Sequence, residues 1–272
     1  MLPNHIRGLW SSNQKALNGW LSIPNSFTAE IMAEQGYDSI TIDLQHGVVD
    51  GQTSLGMFQA MRASGVTPMA RVPWLDAGQI MKALDTGAYG IICPMINSRK
   101  QAEEFVSYLR YPPNGVRSYG PTRAVISAGP NYRFEADEQV VGFAMIETSE
   151  AMSNLNEIVA TPGLDAVYIG PADLAIDLTG KKYQPGFDRE EPEVTDAIQK
   201  ILTAAHSAGI RAALHCGSPE YALKALGWGF DLVTVSNDVR LLTAAATASV
   251  RQVREGMASV ISETPAAQTG GY

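Results

Sequence analysis

From residue 19 to residue 235 the chain repeats one unit: a short, almost wholly apolar run, then a stretch with helical spacing, often closed by glycine. The apolar runs fall at 19–23, 37–44, 66–72, 89–95, 140–146, 165–169, 210–215 and 231–235. Helical stretches follow at 27–35, 53–64, 77–86, 98–109, 150–160, 192–208, 219–226 and 239–257, and a short one opens at Pro171. Strands apolar throughout are buried on both faces, as in a parallel sheet. Eight such units in a chain of 272 residues favour an α/β fold of one kind, a single closed (β/α)8 TIM barrel. No GxGxxG follows the first run, which removes the usual dinucleotide signature of an open doubly wound sheet.

A polar amphipathic stretch at 6–17 predicts an extra N-terminal helix, and Ser26 is the expected N-cap of the helix closed by Gly36. The rhythm breaks at 110–138, rich in Pro, Gly, Arg and Tyr, where a long irregular loop of functional type is expected. The barrel domain is expected to span 1–262, and the small, polar tail at 263–272 is expected to be disordered. A net charge of −8 and a pI near 5.0 argue against nucleic acid or an anionic membrane surface as partner. Cys93 and Cys216 both fall at strand ends and form no metal-ligand pair. With no signal peptide and no apolar run of spanning length, the expectation is a soluble protein of the reducing cytoplasm.

In a barrel of this kind, chemistry sits at the carboxyl ends of the strands. Polar and ionisable residues are scarce inside the apolar runs and gather at those ends: Asp43, Gln45 and His46 in DLQHG, Arg71 in ARVPW, Glu147 in AMIET, Asp173 in YIGPADL, and His215. Trp20 lies on the first strand. Pro171 suits the first position of a helix, whose free N–H groups and dipole favour an anion. Glu147 and Asp173 would then share a pocket with a negative ligand, and a divalent cation between them resolves the repulsion. Plainer readings stand beside these. Asp43 serves equally as a cap for loop N–H groups. Glu147 and Asp173 could form ion pairs with Arg71 and nothing more, although that leaves the GPAD turn unexplained. His46 could be a solvated residue, His215 is read mainly as structural, and Trp20 as core or pocket wall. None of the seven lysines lies at a strand's carboxyl end, where a Schiff-base aldolase needs its amine.

Taken together and in order, DLQHG, ARVPW, LDTG, AMIET and YIGPADL resemble the HpcH/HpaI aldolase family of metal-dependent class II pyruvate aldolases, from about residue 19 to residue 242. The resemblance implies a (β/α)8 barrel that cleaves or forms 4-hydroxy-2-oxo acids, with pyruvate or a related 2-oxo acid as one product and an aldehyde as the other. It implies Glu147 and Asp173 as ligands of Mg²⁺, Mn²⁺ or Co²⁺, and His46 as catalytic base paired with Asp85. Arg71 is implied on the keto oxygen, the N–H groups of Ala172 and Asp173 on the substrate carboxylate, and Asp43 and Trp20 in the pocket lining. A homo-oligomer is implied as well, a hexamer built as a trimer of dimers with the last helix exchanged. Two departures from the family pattern bear on the substrate more than on the reaction type: Met145 where many members have glutamine, and Gln45 where glutamate is common. The rival readings are an oxaloacetate decarboxylase or another metal–enolate lyase on the same barrel, and a binding barrel without catalysis.

Overall fold

The computed structural model describes residues 1–263, with side chains to Met257. Of the tail at 263–272, expected to be disordered, Glu263 is helical and the residues from Thr264 on lie outside the described residues. Eight strands alternate with helices: α1 (His5–Ser11), β1 (Ala16–Leu21), α2 (Ser26–Ala33), β2 (Ser39–Asp43), α3 (Gly51–Ala60), β3 (Thr67–Arg71), α4 (Ala77–Thr86), β4 (Gly90–Cys93), α5 (Arg99–Leu109). Then come α6 (Thr122–Ala128), α7 (Tyr132–Gln139), β5 (Val141–Ile146), α8 (Ser149–Ser153), α9 (Leu155–Val159), β6 (Ala166–Ile169) and α10 (Pro171–Thr179). The order ends with α11 (Pro192–Ser207), β7 (Arg211–Cys216), α12 (Pro219–Trp228), β8 (Leu232–Val235) and α13 (Asp238–Glu263). All neighbouring strands are parallel, and β1 pairs with β8, so the sheet closes as the sequence predicts.

Alternation along the strands divides the core into two layers. Trp20, Met69, Phe143, Met145, Tyr168 and Leu232 fill the barrel interior. Residues one step away, such as Ala144, Ile146 and Leu214, face the helices in the larger outer layer. Gly142 lets α5 approach β5 closely, because a Cβ there would overlap Leu109 and press on Phe105. The barrel lies within one compact unit, Met1–Asp238; the chain from Val239 on forms a second, whose described part is helical.

Three local expectations are corrected. Asn25, not Ser26, caps α2: its side-chain oxygen accepts from the Phe27 and Thr28 N–H groups, and Ser26 is the first helical residue. The segment 110–138 is not one irregular loop but carries α6 and α7. Their buried Ala124, Ala128, Tyr132 and Ala136 pack with Tyr89 and Tyr111 in a small separate core, an alanine-based pattern too weak to register as helical periodicity. The single helix expected at 150–160 is two short ones meeting at Asn154, whose side chain donates to the Asn97 carbonyl at 2.8 Å.

Candidate active site

The carboxyl ends of the strands gather the predicted residues. Glu147 follows β5 and is only 2% exposed. Its Oε1 accepts the Met95 N–H at 2.9 Å. Met95 follows β4 with φ +57, a left-handed backbone that is uncommon for a non-glycine residue and typical of functional turns. Across β6, Gly170 leaves room for the same carboxylate, since a Cβ there would overlap Glu147 Oε2. Pro171 opens α10, whose first-turn acid is Asp173; no side chain caps the helix, and its first intrahelical bond runs from the Leu174 N–H to the Gly170 carbonyl. The N–H groups of Ala172 and Asp173 therefore face outward from the helix start. Burial pushes the Glu147 carboxyl up to about 7; the Met95 N–H opposes that rise, the negative charge of Asp173 adds to it, and Arg71 counters it. A buried acid held against a second acid is a poor anion by itself. The pair suits a hard divalent cation, which takes carboxylate oxygens and completes its shell from water or substrate. Among the described residues no group of three or more His, Cys, Asp or Glu side chains is placed for a metal.

Beside the pair, Arg71 at the end of β3 is clamped by Asp43 at the end of β2. Nε meets Oδ1 at 2.9 Å and Nη2 meets Oδ2 at 2.6 Å, the paired geometry that fixes a guanidinium plane. The strands are in register here, Asp43 opposite Arg71. Asp43 Oδ1 also accepts the Gln45 and His46 N–H groups at 3.1 and 3.3 Å, so one carboxylate orients the arginine and shapes the turn carrying the histidine. Burial would raise its pKa, but Arg71 and these N–H groups outweigh that and hold it below the ordinary carboxylate value. Trp20, buried inside the barrel, donates Nε1–H to Asp43 Oδ2 at 3.3 Å, and the Arg71 guanidinium lies 4.8 Å above its ring. Both plain readings of these residues hold in part: Asp43 does cap a loop, and Trp20 is core.

One expectation turns out differently. Asp85, near the end of α4, gives its Oδ1 to the buried Arg117 at 2.8 Å, and no hydrogen bond joins it to His46 among the described residues. Arg117 also donates to the Tyr132 hydroxyl at 2.9 Å, so Asp85 is tied to the small core of α6 and α7. His46 is exposed on its turn. His215 belongs to a polar chain inside the barrel that sequence reasoning missed. Tyr168 OH lies 3.0 Å from His215 Nδ1 and 2.6 Å from Thr234 Oγ1, and Asn18 joins Thr234 to Ser39 and Thr41. Asn18, Ser39, Thr41 and Thr234 sit in strands otherwise apolar, and only barrel closure brings them together. The contributions of the Met95 N–H and of Gly170 also leave no trace in residue chemistry, because both depend on backbone placement.

This arrangement matches known proteins over nearly its whole length. The HpcH/HpaI aldolase/citrate lyase family profile matches residues 18–245. A protein named hydroxypyruvate/pyruvate aldolase from Rhizorhabdus wittichii is 43% identical over 251 residues, covering 92% of this chain and 99% of that one. A 4-hydroxy-2-oxo-heptane-1,7-dioate aldolase from Salmonella heidelberg is 33% identical over 252 residues, covering 91% of this chain and 93% of that one. Among solved structures, an HpcH/HpaI aldolase/citrate lyase family protein from Burkholderia cenocepacia J2315 superposes with TM-score 0.84 at 29% identity, covering 92% of this chain and 98% of that one. With the family profile spanning most of the sequence and a relative matched almost end to end, the chain belongs to the HpcH/HpaI aldolase/citrate lyase family.

Proposed function

We propose that the chain is a class II, metal-dependent aldolase, a carbon–carbon lyase that reversibly cleaves a 4-hydroxy-2-oxo acid to pyruvate, or a related 2-oxo acid such as hydroxypyruvate, and an aldehyde. Family membership supports the reaction class, and metal dependence is general in the family. The observation that carries the reading is the buried Glu147 beside Asp173, with a clamped Arg71 facing the same space.

Glu147 and Asp173 would hold Mg²⁺, Mn²⁺ or Co²⁺. Such an ion supplies positive charge where an oxyanion develops, usually among the largest catalytic contributions. The chain's own residues do the rest. As the bond between C3 and C4 breaks, the electron pair moves toward the keto oxygen, and the Arg71 guanidinium, held flat by Asp43, stabilises the growing charge. The N–H groups of Ala172 and Asp173 bind the substrate carboxylate at the start of α10. The His46 imidazole takes the proton of the 4-hydroxyl during cleavage and returns it in synthesis. Trp20 closes one wall and supports Arg71 from below. The substrates are small molecules; no described helix is long and apolar enough to cross a membrane. A cytoplasmic homo-oligomer, a hexamer of paired chains, completes the proposal; sedimentation at working concentration tests the assembly, and a monomer would exclude it.

His46→Ala is expected to lower aldol turnover by about 10²–10⁴-fold while metal and pyruvate binding persist. A full-rate variant would rule out the base. A panel of aldehydes with pyruvate and with hydroxypyruvate, run with and without chelator, tests the reaction; turnover undiminished by chelator sinks the metal.

One observation favours a second reading. Glu147 and Arg71 are held by the Met95 N–H and by Asp43, whereas His46 is exposed and lacks a bond from Asp85. Oxaloacetate decarboxylation needs the first half and not the base. Pyruvate release from oxaloacetate by His46→Ala, with aldol cleavage abolished, would place both activities on one site.

A further inference from the structure

At the opposite end of the barrel a cavity of about 90 Å³ lies between the N-terminal arm, the start of β3, the turn entering β4, and α6. It is lined by Arg62, Arg123, His5 and Tyr89 among mostly apolar neighbours, with no carboxylate in its wall. β3 is five residues long, so this site and Arg71 are separated by roughly 13 Å of strand. Arg123 is held in place: its Nη1 donates to the Thr86 carbonyl, and it passes over Gly87 where any Cβ would overlap it. Gly87 has φ +125, a backbone that favours glycine, so the seat for this guanidinium is built into the turn. Arg62, just beyond α3, makes no ion pair or hydrogen bond among the described residues. Its charge acts directly on Arg123, which burial already disfavours as a cation. Asp38, the acid bonded to His5 at 3.1 Å, is also engaged by the Leu17 N–H.

Two guanidinium groups on one small cavity, with no acid in its wall, repel each other unless an anion joins them. Guanidinium donors match tetrahedral oxyanions in pairs. A cavity of this size has room for a small tetrahedral oxyanion. We propose that this cavity is a binding site for a phosphate-class oxyanion, inorganic phosphate or the phosphoryl group of a small monoester, gripped between Arg62 and Arg123. It is separate from the strand-end site and independent of the reaction assigned there.

The test is titration calorimetry on chelator-treated, full-length protein in phosphate- and sulfate-free buffer, with inorganic phosphate in one arm and glycerol 3-phosphate in the other. Wild type is expected to show one saturable site per chain. Arg62→Glu, an exposed substitution that should keep fold and aldol turnover, is expected to weaken binding at least roughly tenfold, and Arg62→Lys to retain most of it. Arg71→Gln, in the strand-end site, is expected to leave phosphate binding unchanged. Tighter binding of glycerol 3-phosphate supports the site with a monoester as occupant; tighter binding of inorganic phosphate supports it with the free ion. The proposal is overturned by the absence of saturable binding of either anion. It is equally overturned if Arg62→Glu binds as wild type does, or if binding disappears with Arg71→Gln.

Discussion

Glu147 is costly as a bare anion, and in the proposed reading it is half of a cation site. A carboxyl moved from 4.5 to about 7 costs on the order of 3 kcal/mol when it must ionise in the folded state. The sign follows from the raised value: this group favours the fold below the unfolded carboxyl pKa, and the benefit is lost as pH rises through about 7. Metal-free Glu147→Gln is therefore expected to melt higher than metal-free wild type at pH above 7, while losing the thermal gain that Mn²⁺ gives wild type. A melting series with and without Mn²⁺ reads both, and an unchanged Mn²⁺ gain would remove Glu147 as a ligand. For the same reason protons compete with the cation, and Mn²⁺ affinity is expected to climb as pH rises from 6 to 8. Gly170→Ala tests the geometry without touching a carboxylate: the added methyl meets Glu147 Oε2 and the Met145 methyl, so metal affinity should fall with the fold intact. Asp43→Asn breaks the charge clamp on Arg71 and is expected to lower kcat by about 10²-fold with a smaller change in KM, because the arginine acts on charge that grows in the transition state. A change confined to KM would make Arg71 a ground-state binder.

At the scale of elements, α10 and the pair α6 and α7 do different work. α10 begins with Pro171 because a missing N–H there costs nothing, and its first turn carries Asp173 and two N–H groups without an intrahelical partner. The α6 and α7 core instead fixes Asp85. Arg117 is 1% exposed, lies 4.6 Å from the Tyr111 ring and bonds Asp85 and Tyr132, so it staples α4 to α7. Arg117→Met keeps the volume, removes both bonds and is expected to cost about 1–3 kcal/mol, read by denaturant unfolding. Loss of no stability would mean that the tyrosine core carries these helices alone. The motifs at the strand ends were legible in sequence because each reactive residue follows an apolar run directly. The helices at 110–138 were not, because their alanines and Tyr132 bury their surface in a small cluster with Tyr89 and Tyr111, which lie outside α6 and α7.

At the scale of the barrel, closure brings β1 against β8 and places the residues before them at the end away from the proposed chemistry. Asp231, 2% exposed, there accepts from Arg211 at 3.1 Å, His206 at 2.8 Å and the Ala212 N–H at 3.0 Å, with Lys15 at 3.4 Å. Burial works to raise its pKa, yet the Ala212 N–H, His206 and Lys15 prevail and hold it below the ordinary value. A depressed carboxyl contributes stability above its unfolded pKa and loses it as pH falls through the folded one. Asp231→Asn is thus expected to melt lower than wild type at pH 7 and to differ less as pH falls below 4. A constant gap across that range would show that the loss is steric. Eight apolar runs with reactive residues at their ends determined the barrel, its polarity and the family, since burial on both faces and the location of strand ends are written in the order of residues. Tertiary structure alone decided that Asp43 clamps Arg71, that Asp85 turns to Arg117, and that Gly170 and the Met95 N–H make room and a partner for Glu147. Those outcomes depend on register between strands and on backbone atoms, and neither is carried by residue type.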